Sequence, residues 1–274
     1  NIAKNTDWVR QNWSEDATIA RGSYGEMMNV DNAVSSEGDG LQITVVGGSE
    51  TDGDVQGGEV DSARLDVSYG TFRSSMKLTG IAGTVSAFFW YYNDTQEIDI
   101  EFLSKQFETS NASYPVNLVL QSDASAEANY NAAHTNTYQV IYLPFDPRAD
   151  FHEYRIDWVP GRVLFYADGS VLAEMDDPAA VPTHAGHLAV SQWSNGNPEW
   201  SGGPPASDAV LEIGYVKAYF NSSDASRQKD FAARCADPSS TGAVCDIPDV
   251  TATNSSAAGW FFSGQKNMTS NQTV

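Results

Sequence analysis

Residues 95–105 read TQEIDIEFLSK, and three carboxylates, Glu97, Asp99 and Glu101, occupy alternate positions in it. Ile98, Ile100 and Phe102 fill the positions that follow each of them. Successive side chains of a β-strand point to opposite faces. The pattern predicts a strand with one apolar face turned to a core and one face bearing three acids. Like charges at that spacing raise one another's pKa. The acidic face therefore costs stability, and a strand built only to fold would not carry it. A solvated face or a Ca²⁺ site is the bland reading. Paired carboxylates for nucleophilic and acid–base chemistry are the sharp one.

The rest of the chain supplies the partners such a strand needs. GLQITVV (40–46), GTFRSSMKL (70–78), TVSAFFWYY (84–92), VNLVLQS (116–122), YQVIYLPF (138–145), HEYRIDW (152–158), GHLAVSQWS (186–194) and AVLEIGYVKAYF (209–220) are all strand-like. VLFYADGSVLAEM (163–175) predicts a hairpin turned at Asp168-Gly169. Many short strands separated by Gly, Pro, Asn and Asp imply an all-β sandwich. Helical periodicity is confined to DASRQKDFAARC (224–235), where Phe231 is expected to pack. Residues 1–220 are expected to form one domain. Residues 221–274 are expected to be a Ser-, Ala- and Asn-rich extension on it, with GWFFSG (259–264) docking back.

The chain has 274 residues and a formal net charge of −21. Phosphate backbones and anionic membranes would repel it, so no nucleic-acid partner is expected, whereas a neutral polymer would be indifferent to the charge. No run approaches the roughly 20 apolar residues of a membrane helix, and NIAKNTDW at the start resembles a processed end. Cys235 and Cys245 lie ten residues apart in a Pro- and Gly-containing stretch, and their bonding is expected to close a small loop. Sequons at Asn12, Asn93, Asn111, Asn221, Asn254, Asn267 and Asn271 agree with an oxidising, secretory setting. A secreted eukaryotic glycoprotein, extracellular or in a cell wall, is expected.

A retaining glycosidase needs two carboxyl groups roughly 5–5.5 Å apart, and an inverting one about 6.5–9.5 Å. Four residues of strand separate Glu97 and Glu101 by roughly 13 Å at Cα, and long side chains lean together across part of that gap. Spacing in sequence leaves both geometries open. Asp99 between them is placed to hold one Glu by a hydrogen bond and to keep the acid protonated.

EIDIEFL resembles the catalytic strand, E-x-D-x-E, of glycoside hydrolase family 16. The uninterrupted form resembles its lichenase, xyloglucan-transferase and fungal chitin–glucan transferase branches. YGTFRSSMKL, GTVSAFFWYYNDTQEIDIEFLS, DFHEYRIDWVPGRVLFYADG and SQWSNGNPEWSGGPP extend the resemblance over about residues 55–220. It implies a jelly-roll β-sandwich of two curved antiparallel sheets with a concave substrate cleft. It also implies Glu97 as nucleophile, Asp99 as helper and Glu101 as acid/base, in a fungal secreted member. Where lichenases carry Glu-Tyr-Arg, this chain has Glu59-Val60-Asp61; where they carry Gln-x-Asn, it has Asn117 and Val119. Gly214 stands in place of the lichenase Ca²⁺-ligating Asp, and no metal or cofactor is expected.

Aromatic faces stack on pyranose rings. Trp90 and Tyr92 beside the motif, and Trp193 and Trp200 in the Gly- and Asn-rich loop, are candidate sugar contacts with Glu59, Asn117, His152 and Asn195. Core packing is the competing role for Trp90, a turn for Asn195 and a structural hydrogen bond for His152. His134, His184 and His187 show no metal spacing, and no phosphate loop or serine elbow appears. The expectation is a monomeric retaining endo-β-glucanase acting on mixed-linkage or related β-glucan. A cell-wall transglycosylase on the same site is the alternative, and a lectin-like binder the rival from another class.

Overall fold

A computed structural model describes residues 1–36, 40–48, 50, 51, 53–239 and 245. The sequons at Asn254, Asn267 and Asn271 and the 259–264 segment lie outside the described residues. The chain first lays down short strands β1 (Trp8–Arg10), β2 (Trp13–Glu15), β3 (Gly25–Met28), β4 (Ala33–Ser35), β5 (Leu41–Val45) and β6 (Glu50–Thr51). Longer ones follow: β7 (Asp54–Ser62), β8 (Val67–Lys77), β9 (Val85–Asn93), β10 (Gln96–Leu103) and β11 (Pro115–Gln121). The series ends with β12 (Tyr138–Tyr142), β13 (His152–Val159), β14 (Arg162–Ala167), β15 (Ser170–Met175), β16 (His187–Trp193) and β17 (Ala209–Ser222). Among the described residues three short α-helices accompany them, α1 (Ala17–Ala20), α2 (Asp123–Glu127) and, after β17, α3 (Ala225–Arg234).

The strands form two sheets, as the jelly roll requires. One has the order β12-β11-β10-β9-β16-β7-β3-β2, with β1 and β6 pairing on β7; the other runs β15-β14-β13-β8-β17-β5-β4. Every pair is antiparallel except β3 with β7. Alternation decides what lies between the sheets. Ile98, Ile100 and Phe102 of β10 are buried, as are Phe72 and Met76 of β8 and Tyr154, Ile156 and Trp158 of β13. Each large apolar side chain so buried stabilises the fold by about 1.5–3 kcal/mol. Trp90 and Trp158 meet across the core at 4.5 Å between ring centroids. The β14–β15 turn is Asp168-Gly169 with φ of 46° and 78°, both left-handed, which suits a two-residue hairpin turn.

Cys235 and Cys245 are disulfide-bonded, with Cα atoms 5.6 Å apart, which ties residue 245 to the end of α3. Phe231 departs from expectation: it is 38% exposed. Among the described residues α3 packs mainly on β17, and none of its side chains is buried. Among the described residues no helix is long and apolar enough to cross a membrane.

Candidate active site

The face of the ten-stranded sheet opposite the core carries a cavity of about 630 Å³. Glu97, Asp99 and Glu101 lie on its floor. β10 pairs with β11 without interruption from Glu97↔Gln121 to Glu101↔Asn117, and with β9 from Glu97↔Tyr91 to Leu103↔Val85. The three acids therefore share one face on a regular pleat. The only register shift falls just before them, between Gln96 and Glu97.

Burial raises all three carboxyls, because a charge in that setting loses its water. Glu101 is pushed up to about 7, and its carboxylate accepts a hydrogen bond from Trp200. Asp99 is raised well above the usual carboxyl range, by burial and then by the charges of Glu97 and Glu101. It donates to Glu97 and so lowers it, but burial outweighs that bond and leaves Glu97 raised to about 8. One proton donor serves the Glu97 end and one indole N–H serves the Glu101 end. That division gives two chemically distinct carboxyl groups on one floor, as a nucleophile and an acid require.

More acids stand around this floor. Glu59 of β7 lines the cavity and accepts from the Trp13 indole at 3.2 Å. Burial and then Asp61 push it up to about 8. Glu26 of β3 is also raised to about 8, by burial, although Asn195 donates to it at 3.0 Å. Trp193, Asn195 and Trp200 line the cavity. The Asn195 amide is committed to protein, donating also to the Ala20 carbonyl at 2.6 Å.

Four expected sugar contacts are placed elsewhere. Trp90 is fully buried in the core and donates its indole N–H to the Val67 carbonyl at 3.1 Å. Tyr92 is exposed beyond the cleft, stacked on His184 at 4.8 Å. Asn117 is on the cleft side of β11 but wholly buried: its side chain accepts from the Tyr138 hydroxyl at 2.8 Å and donates to Gln106 at 3.0 Å. His152 belongs to the other sheet, where it stacks on Phe145 and pairs with Asp168 at 2.7 Å. The residues that do line the cavity include Trp13, Phe89, Gln121, Tyr130 and Tyr138. Asp61, where a lichenase carries Arg, faces His187 at 3.5 Å. Val119 is in the cavity wall.

Gly214 occupies a register shift in β17. A side chain added there would meet the Ser75 hydroxyl at 3.4 Å and the Phe151 ring at 3.6 Å. Among the described residues no group of three or more His, Cys, Asp or Glu has metal-holding geometry.

Residues 22–216 match the family described as glycosyl hydrolases family 16. The chain belongs to that family. A β-glucanase of Paenibacillus macerans is 34% identical over 140 residues, covering 49% of this chain and 52% of its own. Crh-like protein 2 of Botryotinia fuckeliana is 29% identical over 173 residues, covering 57% of this chain and 35% of its own. The chain thus spans about half the length, or less, of these relatives. The Bacillus licheniformis β-glucanase structure superimposes with a TM-score of 0.62 at 22% identity, over 79% of this chain and 94% of that one. It shares the family 16 jelly roll.

Proposed function

We propose that this family 16 chain is a retaining endo-acting glycoside hydrolase of β-glucans, with mixed-linkage β-1,3-1,4-glucan its preferred class. Glu97 attacks the anomeric carbon as Glu101 gives its proton to the departing glycosidic oxygen. A glycosyl ester on Glu97 results. Glu101, now ionised, takes a proton from water, and the water oxygen displaces Glu97. Asp99 keeps its proton and donates to Glu97, which favours the ionised state that attack needs against the burial that raises Glu97 to about 8. The observation that carries this reading is the pair of distinct donors, Asp99 on Glu97 and Trp200 on Glu101, within one cavity floor.

Tyr138 and Trp200, 6.0 Å apart beside Glu101, favour a second reading. An aromatic pair next to the acid/base would bind an acceptor sugar in place of water, giving a cell-wall transglycosylase. The similarity to a relative named xyloglucan endotransglycosylase/hydrolase protein 8, of Oryza sativa, agrees with this. Action outside the cell, as a monomer carrying its whole site, is part of the proposal. The disulfide and the exposed sequon residues Asn12, Asn93, Asn111 and Asn221 support it, and residues 221–274 are then an extension of a single catalytic domain. Product analysis on mixed-linkage glucan, laminarin, xyloglucan and chitin oligomers, with and without added acceptor oligosaccharide, tests the substrate class. Laminarin preferred tenfold or more would overturn the ranking, and dominant transfer products at low acceptor would favour the transglycosylase.

A further inference from the structure

We propose that Arg21 and Tyr130 form a clamp across the cleft that closes over a bound glucan chain and holds it through both chemical steps. This rests on the glycosidase reading above. The two residues come from opposite sides of the ten-stranded sheet. Arg21 is in the β2–β3 connection and Tyr130 in the β11–β12 connection. In the sheet order, β7, β16, β9 and β10 run between β3 and β11, so five spacings separate them, roughly 24 Å at 4.8 Å each. Yet the Arg21 guanidinium carbon lies 4.6 Å from the Tyr130 ring centroid. The two connections must therefore lean toward each other over the floor that carries the carboxylates, and both residues line the cavity.

Both arms are anchored at the root. Asn197 and Asn195 donate to the Arg21 and Ala20 carbonyls at 3.1 and 2.6 Å. The Tyr130 amide donates to the Ser125 carbonyl at 2.7 Å, within the capping-box helix α2. The tips, in contrast, are strained. Arg21, Asn129 and Tyr130 have φ of 58°, 62° and 58°, left-handed values that non-glycine residues rarely adopt. Strain of this kind collects at ligand clamps, where the surroundings hold it. Arg21 is exposed, and an exposed guanidinium–ring contact is weak, so the clamp opens readily.

The chemistry suits a neutral sugar polymer. The floor and walls present the acceptors Glu15, Glu26, Glu59 and the three β10 acids, whereas Arg21 is the one basic side chain lining the cavity among the described residues. Its guanidinium offers five N–H donors and no acceptor. A glucan between floor and clamp gives hydroxyl protons downward and receives N–H bonds from above, and the Tyr130 ring sets the plane of the guanidinium.

The test is kcat and KM on the best polymeric β-glucan for the wild type, Arg21→Met, Tyr130→Phe, Tyr130→Ala and the Arg21→Met/Tyr130→Ala double variant. Each of Arg21→Met and Tyr130→Ala is expected to raise KM about tenfold while kcat stays within about threefold. Tyr130→Phe keeps the ring face and stays near wild type. The double variant is no worse than either single one, because both break one contact. Should Tyr130→Ala fail to fold, Arg21→Met and Tyr130→Phe still decide the matter. Unchanged KM in an active enzyme, multiplying losses in the double variant, or Tyr130→Phe as damaging as Arg21→Met would overturn the clamp alone. A wild type that cleaves no β-glucan would overturn the glycosidase reading, and the clamp with it.

Discussion

The Trp200 indole donates a hydrogen bond to the Glu101 carboxylate, and that bond works against the burial that raises Glu101. Trp200→Phe keeps an aromatic wall and deletes the donor. A hydrogen bond to a charged group is worth about 1.5–3 kcal/mol, or roughly 1–2 pKa units. Without it the carboxylate form is disfavoured and the pKa rises from about 7. The acid must be protonated, so activity falls as pH rises through this pKa. The alkaline limb of the kcat/KM profile is expected to move to higher pH in Trp200→Phe. A limb that stays in place or moves down contradicts the assignment of Glu101 as acid.

Asn117 is a support for Tyr138 rather than a sugar contact, since it is buried and takes the Tyr138 hydroxyl at 2.8 Å. Tyr138→Phe leaves the buried Asn117 carbonyl without that donor, at a cost of about 1–3 kcal/mol. Urea unfolding should show the loss as a lower midpoint with an unchanged slope. Asn117→Leu should reproduce most of it, and combining the two should recover part of the penalty, because neither partner is then left unpaired.

Much of this was legible in advance and some was not, for identifiable reasons. The acidic strand, its apolar back and the loop tryptophans Trp193 and Trp200 followed from alternation and loop chemistry. Trp90 and Tyr92 misled because the β9–β10 connection is a hairpin with a slip. Asn93 pairs with Gln96, so a regular ladder would set Tyr92 opposite Glu97; instead Tyr91 stands there. One extra residue turns every side chain of β9 to the other face, which brings Phe89 into the cleft and Trp90 into the core. His152 has a strand's alternation, but alternation does not say which sheet a strand joins. Trp13 and Glu26 lie on strands of three and four residues, too short for a period to show. Arg21 and Tyr130 are loop residues that only tertiary structure brings together.

Stability should carry the mark of the raised acids. Glu59 and Glu26 are pushed up to about 8 from 4.5. The folded state therefore holds these protons where the unfolded chain has released them. The fold gains nothing from this above about 8 and is expected to lose stability as pH climbs from about 4.5 toward 8. The midpoint of thermal unfolding should be higher at pH 5 than at pH 8. Glu59→Gln should raise it at pH 8 and leave it nearly unchanged at pH 4. A stabilising effect confined to low pH would reverse the sign and refute the account.

The disulfide should matter locally. The loop it closes is short, so the chain-entropy estimate is roughly 2.5–3 kcal/mol. It fastens residue 245 to α3, which packs on β17 of the sheet that does not carry the cleft. Reduction, or Cys235→Ser with Cys245→Ser, should leave kcat/KM within about twofold. Mass spectrometry of the untreated protein should find no free thiol.

The central claim is that Glu97 forms a covalent bond to the sugar. An activated 2-deoxy-2-fluoro β-glucoside oligomer slows release of the glycosyl ester more than its formation, so the intermediate accumulates. Proteolysis followed by tandem mass spectrometry then locates the added mass. The account predicts one glycosyl group per chain, on Glu97 in the peptide that carries EIDIE, together with products that retain the β configuration. Label on Glu101 or Glu59, or inverted products with no label, would contradict it.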